Sequence, residues 1–562
     1  MPRAAPASPP AADRAALLER LRRETFDLAV IGGGITGASI ARDAALRGLS
    51  VALVEKGDFA SGTSSRSSRL VHGGLRYLRH RHIRLVREGL RERGLLLRLA
   101  PHLVRPIPFT LPVYPDGPDS PALLRLGLAG YDLLAGTLGI RRHRALSRDR
   151  LIEAEPALRG RGLQTGFRYF DAITNDARLT LAIALSAIDH GAAAANYVEA
   201  ASLETTDGRI SGLNCRDLAG AQDLTVRARA VAGAAGPWTD QLRAMVDAPA
   251  SLRPTKGIHV VVPRERLHTN SVVAFYWAER PLFAVPSGRH TYVGTTDTDW
   301  RGDPTGVEAN ADEVAHVLEA VNANFDVELT ASDVSATWAG VRPLVTAEGS
   351  PSPSDVSRDY EIADGPPGMY TICGGKLTSA RAMAADLVDH VVEKEASRLS
   401  GRPTGCHTAR APLPGAAADF GRYRLEAASA IKRGWGLSEA SALHLVDTYG
   451  TDHVRVLGRA AREPELLEPV VEGSPILRAE AAYAASDEMT VTLEDFMRRR
   501  SDLMLFGPDD AAGAAEAVAG VLDSALAWGR PERRRQLSAY QDAVARMTAF
   551  RSPPGGEGRP HH

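Results

Sequence analysis

The sequence predicts an α/β protein that starts with a Rossmann-like dinucleotide-binding unit and ends in an all-helical region. Near the N-terminus, an apolar run at 26–31 leads through three glycines into a helical segment and a second apolar run at 50–54. This order and spacing are those of a βαβ unit that binds a dinucleotide. Near the C-terminus, apolar residues recur at helical spacing within 425–431, 439–449 and 477–486.

Three glycines at and just after the first turn have different structural roles. Gly32 permits the tight turn, Gly34 lets the backbone approach a pyrophosphate, and Gly37 lets the helix pack close to the strand. The N-terminus of that helix offers free N–H groups and a partial positive charge to the pyrophosphate. Glu55, which follows the second apolar run, is placed to accept hydrogen bonds from a ribose hydroxyl. We therefore expect the chain to bind a dinucleotide.

The segment after Glu55 indicates which dinucleotide is bound. Residues 63–77 are rich in hydroxyl, glycine and basic residues, as a second nucleotide-contacting loop requires. This segment resembles the flavin-binding segment of the FAD-dependent, aerobic-type glycerol-3-phosphate dehydrogenases, which are D-amino-acid-oxidase-like flavoproteins. Other segments resemble the same family in the same order along the chain: 231–238, 256–263, 294–297, 340–344, 357–360, 374–378 and 480–500.

The resemblance implies the arrangement of domains. A Rossmann-like FAD-binding domain is expected to interleave with an antiparallel-sheet substrate domain over residues 25–395, followed by an all-α C-terminal domain over 416–548. The Gly- and Pro-containing stretch 396–415 is interpreted as the linker between them. Residues 1–24 are predicted to be a disordered or short-helical extension, and residues 549–562 a disordered tail.

The resemblance also implies FAD as the cofactor and a set of residues that bind it. Lys376, or the helix start near Thr378, would lie close to the N1–C2 side of the flavin and stabilise its reduced form. The implied cofactor-binding residues are Gly32, Gly34, Gly37, Glu55, Ser64, Ser65, His72, Gly73, Gly74, Gly236, Gly375, Lys376 and Thr378.

The substrate implied by the resemblance, sn-glycerol 3-phosphate, is a dianion that needs several positive donors. Arginine suits this task because its planar fork pairs with phosphate oxygens. The candidates are Arg76, Tyr77, Arg342 and Arg358, with Arg342 preferred because it lies between Gly340 and Pro343 in a family motif. For any single arginine, the alternative is a solvated surface charge.

The expected reaction oxidises the substrate at C2 to dihydroxyacetone phosphate, with FAD as the hydride acceptor and a quinone as the final acceptor. The catalytic candidates are His259, Arg342 and Lys376. Histidine has a suitable pKa range for a base, but His259 could equally be a core-strand histidine bonded to a backbone carbonyl. Arg342 could instead lower the pKa of the substrate hydroxyl, so the destination of the proton stays open.

Two segments bear on membranes. Residues 76–99 carry eight arginines among apolar side chains, and residues 123–140 are almost wholly apolar and lead into Arg141 and Arg142. The second segment is too short and too interrupted to span a bilayer, which needs about 20 apolar residues. It is either a helix in the membrane interface or a packed helix with a solvated basic end. The family's use of a quinone favours the first interpretation, on the cytoplasmic face of the inner membrane.

The amino-acid composition restricts the possible functions and binding partners. A formal net charge of −1 gives no overall attraction to nucleic acid. Three scattered cysteines form neither a disulfide framework nor a metal site and favour a cytoplasmic location, with no metal expected. Two alternative functions stay open: an amino-acid or 2-hydroxyacid oxidase of the same fold, and a catalytically silent flavin-containing scaffold. A homodimer is also left open.

Overall fold

The computed structural model describes residues 13–79, 81–118, 120–278, 280–346, 359–507 and 511–551. Its strands are β1 (Thr25–Ile31), β2 (Val51–Glu55), β3 (Leu70–Val71), β4 (Val104–Val113), β5 (Arg144–Ser147), β6 (Thr165–Thr174), β7 (Ala193–Asn196), β8 (Val198–Thr206), β9 (Arg209–Asp217), β10 (Gln222–Gly233), β11 (Leu252–Pro263), β12 (Val272–Trp277), β13 (Arg280–Ser287), β14 (His290–Gly294), β15 (Thr298–Asp299), β16 (Ala336–Val345), β17 (Tyr360–Asp364) and β18 (Met369–Gly374). The helices are α1 (Arg14–Arg23), α2 (Ile35–Leu46), α3 (Arg76–Arg79), α4 (Ile83–Leu99), α5 (Pro121–Ala135), α6 (Arg148–Ala154), α7 (Asp176–Asp189), α8 (Thr239–Ala244), α9 (Ala311–Asn324), α10 (Ala380–Glu395), α11 (Phe420–Trp435), α12 (Glu439–Tyr449), α13 (His453–Ala460), α14 (Arg478–Asp487), α15 (Leu503–Phe506), α16 (Ala511–Leu526) and α17 (Gly529–Thr548).

The first sheet contains the predicted βαβ unit. Its strands lie in the order β17-β18-β10-β1-β2-β7, and β18, β10, β1, β2 and β7 are parallel. The interior of β1 is apolar apart from Asp27 because a central parallel strand is buried on both faces. Helices α2, α7 and α10 cover one face, while α1 and the β8–β9 hairpin pack on the other.

The second sheet is mostly antiparallel and has ten strands. Its main order is β15-β11-β14-β13-β12-β4-β6-β3, and β16 pairs with β11 over ten positions. The chain passes from the first sheet to the second at β3, returns at β7, crosses again at β11 and returns at β17. This alternation confirms the predicted interleaving of an α/β domain with an antiparallel-sheet domain.

The C-terminal part is helical, as predicted. Helices α14, α16 and α17 pack onto one face of the second sheet, and α9 covers the other. Helix α11 ends at Gly436, which has the left-handed backbone that favours glycine. The chain stays ordered beyond the predicted end of this domain, because 549–551 form a short 3₁₀ turn whose Phe550 is buried. The remaining predicted tail, 552–562, lies outside the described residues.

Buried ion pairs join the C-terminal region to the cofactor domain. A π-helical turn at Asp495–Arg500 places Arg499 and Arg500 against Asp58, which follows β2; the Arg499 Nε–Asp58 Oδ2 distance is 2.6 Å. Burial would raise the pKa of Asp58, but the two guanidinium groups hold it below its usual range. Tyr197 donates to Asp495 on the same turn at 2.7 Å.

A second ion pair, between Arg69 and Asp502, lies further along the same two segments of the chain. Arg69 donates to both carboxylate oxygens of Asp502, at 2.7 and 2.9 Å, and its Nε lies 3.6 Å from Asp176. Arg69 itself has a φ of +57°, which costs backbone energy in a residue other than glycine. Its fixed position therefore depends on contacts from the C-terminal region.

We expect Asp58→Asn to destabilise the folded enzyme strongly. The amide would leave Arg499 and Arg500 buried with only part of their compensating charge, and breaking such a pair costs about 3–5 kcal/mol. Urea unfolding followed by circular dichroism measures this loss. Asp149→Asn is the matched control, because the Arg148–Asp149 pair is exposed and such pairs contribute at most about 1 kcal/mol. Equal unfolding midpoints for the two variants would contradict the prediction.

Candidate active site

The predicted glycine turn forms an open cradle at the end of β1. Gly34 is the N-cap residue of helix α2 and has no side chain that could accept hydrogen bonds from the first turn. The first N–H groups of the helix therefore point into the turn. The N–H of Ile35 donates to Ser64 Oγ at 2.9 Å, which joins the cradle to the second predicted nucleotide loop. Gly32 has a φ of +107°, and a Cβ on Gly37 would overlap the carbonyl oxygen of Gly32.

Glu55 and Ser65 complete this cradle. The Glu55 carboxylate accepts from the backbone N–H groups of Gly33 at 2.6 Å and Gly57 at 2.7 Å, and burial raises its pKa. Carboxylate oxygens have further lone pairs, so these bonds leave capacity for a ribose hydroxyl. Ser65 Oγ is buried without a hydrogen-bond partner among the described residues, as a phosphate-binding hydroxyl would be without its ligand. These features fit the pyrophosphate and ribose of FAD.

A cavity of about 1240 Å³ adjoins the cradle through Thr63 and Arg66. It is bounded by the second sheet and by the turn that follows β18. The structure brings nine of the predicted site residues together in its wall: His72, Gly74, Arg76, Tyr77, His259, Arg342, Gly375, Lys376 and Thr378.

Three other predicted site residues, Gly73, Gly236 and Arg358, are not among the residues that line the cavity. Gly73 lies behind the wall, where its N–H donates to the Tyr131 hydroxyl at 2.9 Å. Gly236 follows β10, near the cradle rather than the cavity, and has open space where a Cβ would lie. Arg358 lies outside the described residues.

Contacts with Thr295, Thr296 and Asp297 hold Arg342 at the cavity wall. Its Nη2 donates to Thr295 Oγ1 at 2.8 Å and to the carbonyl of Thr296 at 3.0 Å, and its Nη1 lies 3.2 Å from Asp297 Oδ1. Gly257 makes room for this guanidinium, since a Cβ there would overlap it. The 256–263 and 294–297 motifs thus hold the arginine of the 340–344 motif in place.

His259 is buried in β11 beside Arg342. Its Nε2 lies 2.8 Å from Ser68 Oγ, and its ring stacks on Trp338 with centroids 4.8 Å apart. The observed partner is therefore a hydroxyl and not the backbone carbonyl of the alternative interpretation. Burial, together with the nearby positive charges of Arg342 and Arg69, lowers the pKa of His259 to about 3. The imidazole is neutral at physiological pH.

Lys376 and Tyr77 meet across the turn that follows β18. The Lys376 ammonium lies 3.7 Å from the centroid of the Tyr77 ring, which is within the range of a cation–π interaction. The ring of Tyr77 covers Gly74, whose φ of +79° and lack of Cβ permit this close approach. Two segments 300 residues apart in the sequence are thereby brought to one wall of the cavity.

Several cavity residues were not predicted from the sequence: Ser68, Tyr114, Arg159, Tyr276, Arg280 and Asn324. Ser68 lies inside the segment that indicated flavin binding, so its hydroxyl was a detectable signal. The others lie outside the family motifs, and only the folding of the second sheet brings them to the site.

Comparison with known proteins agrees with this geometry. Residues 27–389 match the family model described as FAD dependent oxidoreductase, and residues 406–533 match the C-terminal domain of alpha-glycerophosphate oxidase. The chain is therefore a member of the FAD-dependent oxidoreductase family, and FAD is its cofactor.

Within that family the chain is similar to glycerol-3-phosphate dehydrogenases. It is 37% identical over 537 residues to glycerol-3-phosphate dehydrogenase 2 of Mycobacterium bovis, covering 95% of this chain and 90% of that protein. It is 34% identical over 535 residues to the aerobic glycerol-3-phosphate dehydrogenase of Staphylococcus saprophyticus, covering 93% and 95%. The crystal structure of the Bacillus halodurans glycerol-3-phosphate dehydrogenase complexed with FAD superimposes with a TM-score of 0.81 at 30% identity, covering 97% of this chain and all of that one.

We expect Gly37→Ala to reduce the FAD content of the purified protein severely. The added methyl group would push α2 away from β1 and distort the cradle. The ratio of visible flavin absorbance to protein absorbance measures the loss. Gly434→Ala is the matched control, because Gly434 is also helical and has open space around its Cβ position. Full flavin content in Gly37→Ala would show that the close packing of α2 on β1 is not required.

Proposed function

We propose that this protein oxidises sn-glycerol 3-phosphate at C2 to dihydroxyacetone phosphate, with FAD accepting the hydride and a quinone accepting the electrons afterwards. The observation that supports this most directly is the position of Arg342. It is fixed by Asp297 and Thr295 in a cavity that also contains Arg76, His259 and Lys376. Several cationic donors around one cavity suit a phosphate dianion better than a single carboxylate.

Each side chain has a task in this proposal. Arg342 and Arg76 bind and orient the substrate phosphate, with Tyr77 beside them and Arg358 retained as a further candidate from the sequence. FAD, when bound, supplies the hydride acceptor. Lys376 lies at the turn where the flavin is expected and favours negative charge on its reduced form.

His259 and Ser68 provide a route for the proton of the substrate hydroxyl. Both line the cavity, and the Ser68 hydroxyl contacts His259 Nε2. Because burial and the nearby arginines lower the pKa of His259, protonating this residue at pH 7 costs free energy. A bound phosphate dianion opposes the charge of Arg342 and reduces this cost. Fixing these groups in advance supplies much of the remaining rate acceleration.

Anaerobic addition of sn-glycerol 3-phosphate to the purified protein tests this function. We expect the visible flavin band to bleach rapidly and to return on addition of a soluble quinone analogue, but only slowly in air. Bleaching by D-alanine or L-2-hydroxyglutarate instead would establish the amino-acid or 2-hydroxyacid alternative. Protein that contains FAD and is bleached by none of these would support the silent scaffold.

We expect His259→Gln to lower kcat by about 10²–10⁴-fold, the usual contribution of a positioned acid or base. FAD content should stay unchanged, because His259 lies outside the pyrophosphate cradle. Stopped-flow bleaching by glycerol 3-phosphate measures the rate of the chemical step directly. His316→Gln, on the exposed side of α9, is the control. An unchanged bleaching rate in His259→Gln would remove this residue from the proton route.

The proposed quinone requires access to a membrane, and one surface of the molecule suits such access. Helix α5 exposes Leu126 by 72% and Leu133 by 81%, and Leu126, Gly127 and Gly130 of the same helix line the cavity. Exposed arginines lie on α5 itself, on α4, which packs against α5, and in the segment that follows α5: Arg125, Arg84, Arg87, Arg141 and Arg142. Among the described residues, no helix combines the length and apolar character needed to cross a bilayer.

We propose that this leucine-rich face of α5 binds anionic lipid at the cytoplasmic face of the membrane and that the adjoining part of the cavity admits the quinone. Apolar side chains would enter the interface while the arginines pair with lipid phosphates. A cytoplasmic location and a homodimer stay predictions from the sequence.

We expect the protein to co-sediment with vesicles containing phosphatidylglycerol at low salt, and the double variant Leu126→Ser, Leu133→Ser to bind several-fold less. The control is Leu425→Ser, Val454→Ser, which removes two similarly exposed apolar side chains from the C-terminal helices. Equal binding by both double variants would place the membrane contact elsewhere. Absence of binding by the unmodified protein at low salt would contradict membrane association.

A further inference from the structure

Arg280 is a cavity-lining cation that lies outside every motif of the sequence. It begins β13 at the end of the β12–β13 hairpin, and the structure places it in the wall of the cavity. Its Nη1 donates to the backbone carbonyl of Asp297 at 2.6 Å. Because this partner is a neutral carbonyl, the contact orients the guanidinium without neutralising its charge.

Asp297 connects Arg280 to Arg342. Its carbonyl oxygen accepts from Arg280, while its carboxylate lies 3.2 Å from Arg342 Nη1. Two guanidinium groups from different strands are therefore fixed relative to each other by one residue. Asp297 and Arg342 are mostly buried, with side-chain exposures of 11% and 19%, so water weakens these interactions little.

A phosphate monoester has three terminal oxygens and two negative charges. One planar guanidinium can engage two of these oxygens, and a second guanidinium at fixed separation can engage the third. Such a pair would distinguish a phosphate from a carboxylate, which has only two oxygens. It would also distinguish glycerol 3-phosphate from glycerol, which carries no charge.

We propose that Arg280 is a substrate-binding residue that selects the phosphate dianion, and that Asp297 is the positioning residue that holds Arg280 and Arg342 at the required separation. This inference rests on the proposed oxidation of glycerol 3-phosphate.

The test compares Arg280→Gln, Arg280→Lys and Arg266→Gln in the full-length holoenzyme. Arg266 is the matched control because it pairs with Asp333 on the exposed surface of the same domain. We expect Arg280→Gln to raise KM for glycerol 3-phosphate, and Ki for inorganic phosphate as a competitive inhibitor, by roughly 10- to 100-fold, as for one lost charge-assisted hydrogen bond. Arg280→Lys should restore part of both. FAD content and thermal midpoint should match those of Arg266→Gln.

Asp297→Asn tests the positioning role separately. The backbone carbonyl that orients Arg280 is retained, but the charge that holds Arg342 is removed. We therefore expect kcat to fall in this variant together with a rise in KM, whereas Arg280→Gln should mainly affect KM. A changed thermal midpoint with unchanged kcat and KM would indicate a purely structural role for Asp297. It would overturn the inference that Asp297 is a positioning residue.

The possible failures can be told apart. If glycerol 3-phosphate does not bleach the unmodified enzyme, the proposed function fails and this inference fails with it. If the unmodified enzyme is bleached but Arg280→Gln keeps its KM and its phosphate Ki, the inference fails while the function stands. Parallel increases in KM and Ki, partly reversed by lysine, would establish Arg280 as a phosphate-binding residue.

Discussion

The ion pair between Arg69 and Asp502 is the interaction on which the rest of the site depends. It is bidentate, and Arg69 lies between the cofactor cradle and the second sheet, with a left-handed backbone conformation that its neighbours must maintain. Upstream in the same loop, Ser64 contacts the first turn of α2, and Ser68 contacts His259. Arg69 is buried while the Asp502 side chain is 35% exposed, and the lost hydration of the arginine offsets much of the attraction, so the pair adds little net stability. The effect of the Arg69–Asp502 pair is to fix the loop 64–69, which contacts the cradle, the cavity and the C-terminal region.

The cavity combines a neutral histidine, His259, with fixed cations. His259 stays unprotonated because it is buried beside Arg342 and Arg69, whereas Arg342 keeps its charge beside Asp297. This arrangement disfavours an added proton on His259, and a phosphate dianion bound nearby would offset the positive charge of the arginines. In the proposed reaction, binding of the substrate phosphate and acceptance of its hydroxyl proton by His259 are therefore electrostatically coupled, although they occur at different atoms.

The C-terminal helices contribute to the site, although none of their described residues lines the cavity. The π-helical turn at Asp495–Arg500 presents Arg499 and Arg500 to Asp58, directly after the strand that ends in Glu55. Asp502 follows two residues later and holds Arg69. The helical domain thus packs against both nucleotide-contacting loops of the cofactor domain. Its position explains why a segment remote from the chemistry occurs together with the FAD-binding domain in one chain.

The βαβ unit, its cofactor cradle and the helical C-terminal region could be predicted from local sequence patterns, whereas the cavity residues that lie in motifs were implied by the family resemblance. The βαβ unit and its cradle depend on contacts within about thirty residues, which is why a local pattern is enough to predict them. Gly32, Gly37 and Glu55 belong to this unit. The contacts of Arg280 with Asp297, of His259 with Ser68, and of Asp58 with Arg499 and Arg500 could not be predicted from the sequence, nor could the position of Gly73 behind the cavity wall. These contacts join residues up to more than 400 positions apart, so their formation depends on how the two sheets and the helical domain pack, which no local pattern encodes.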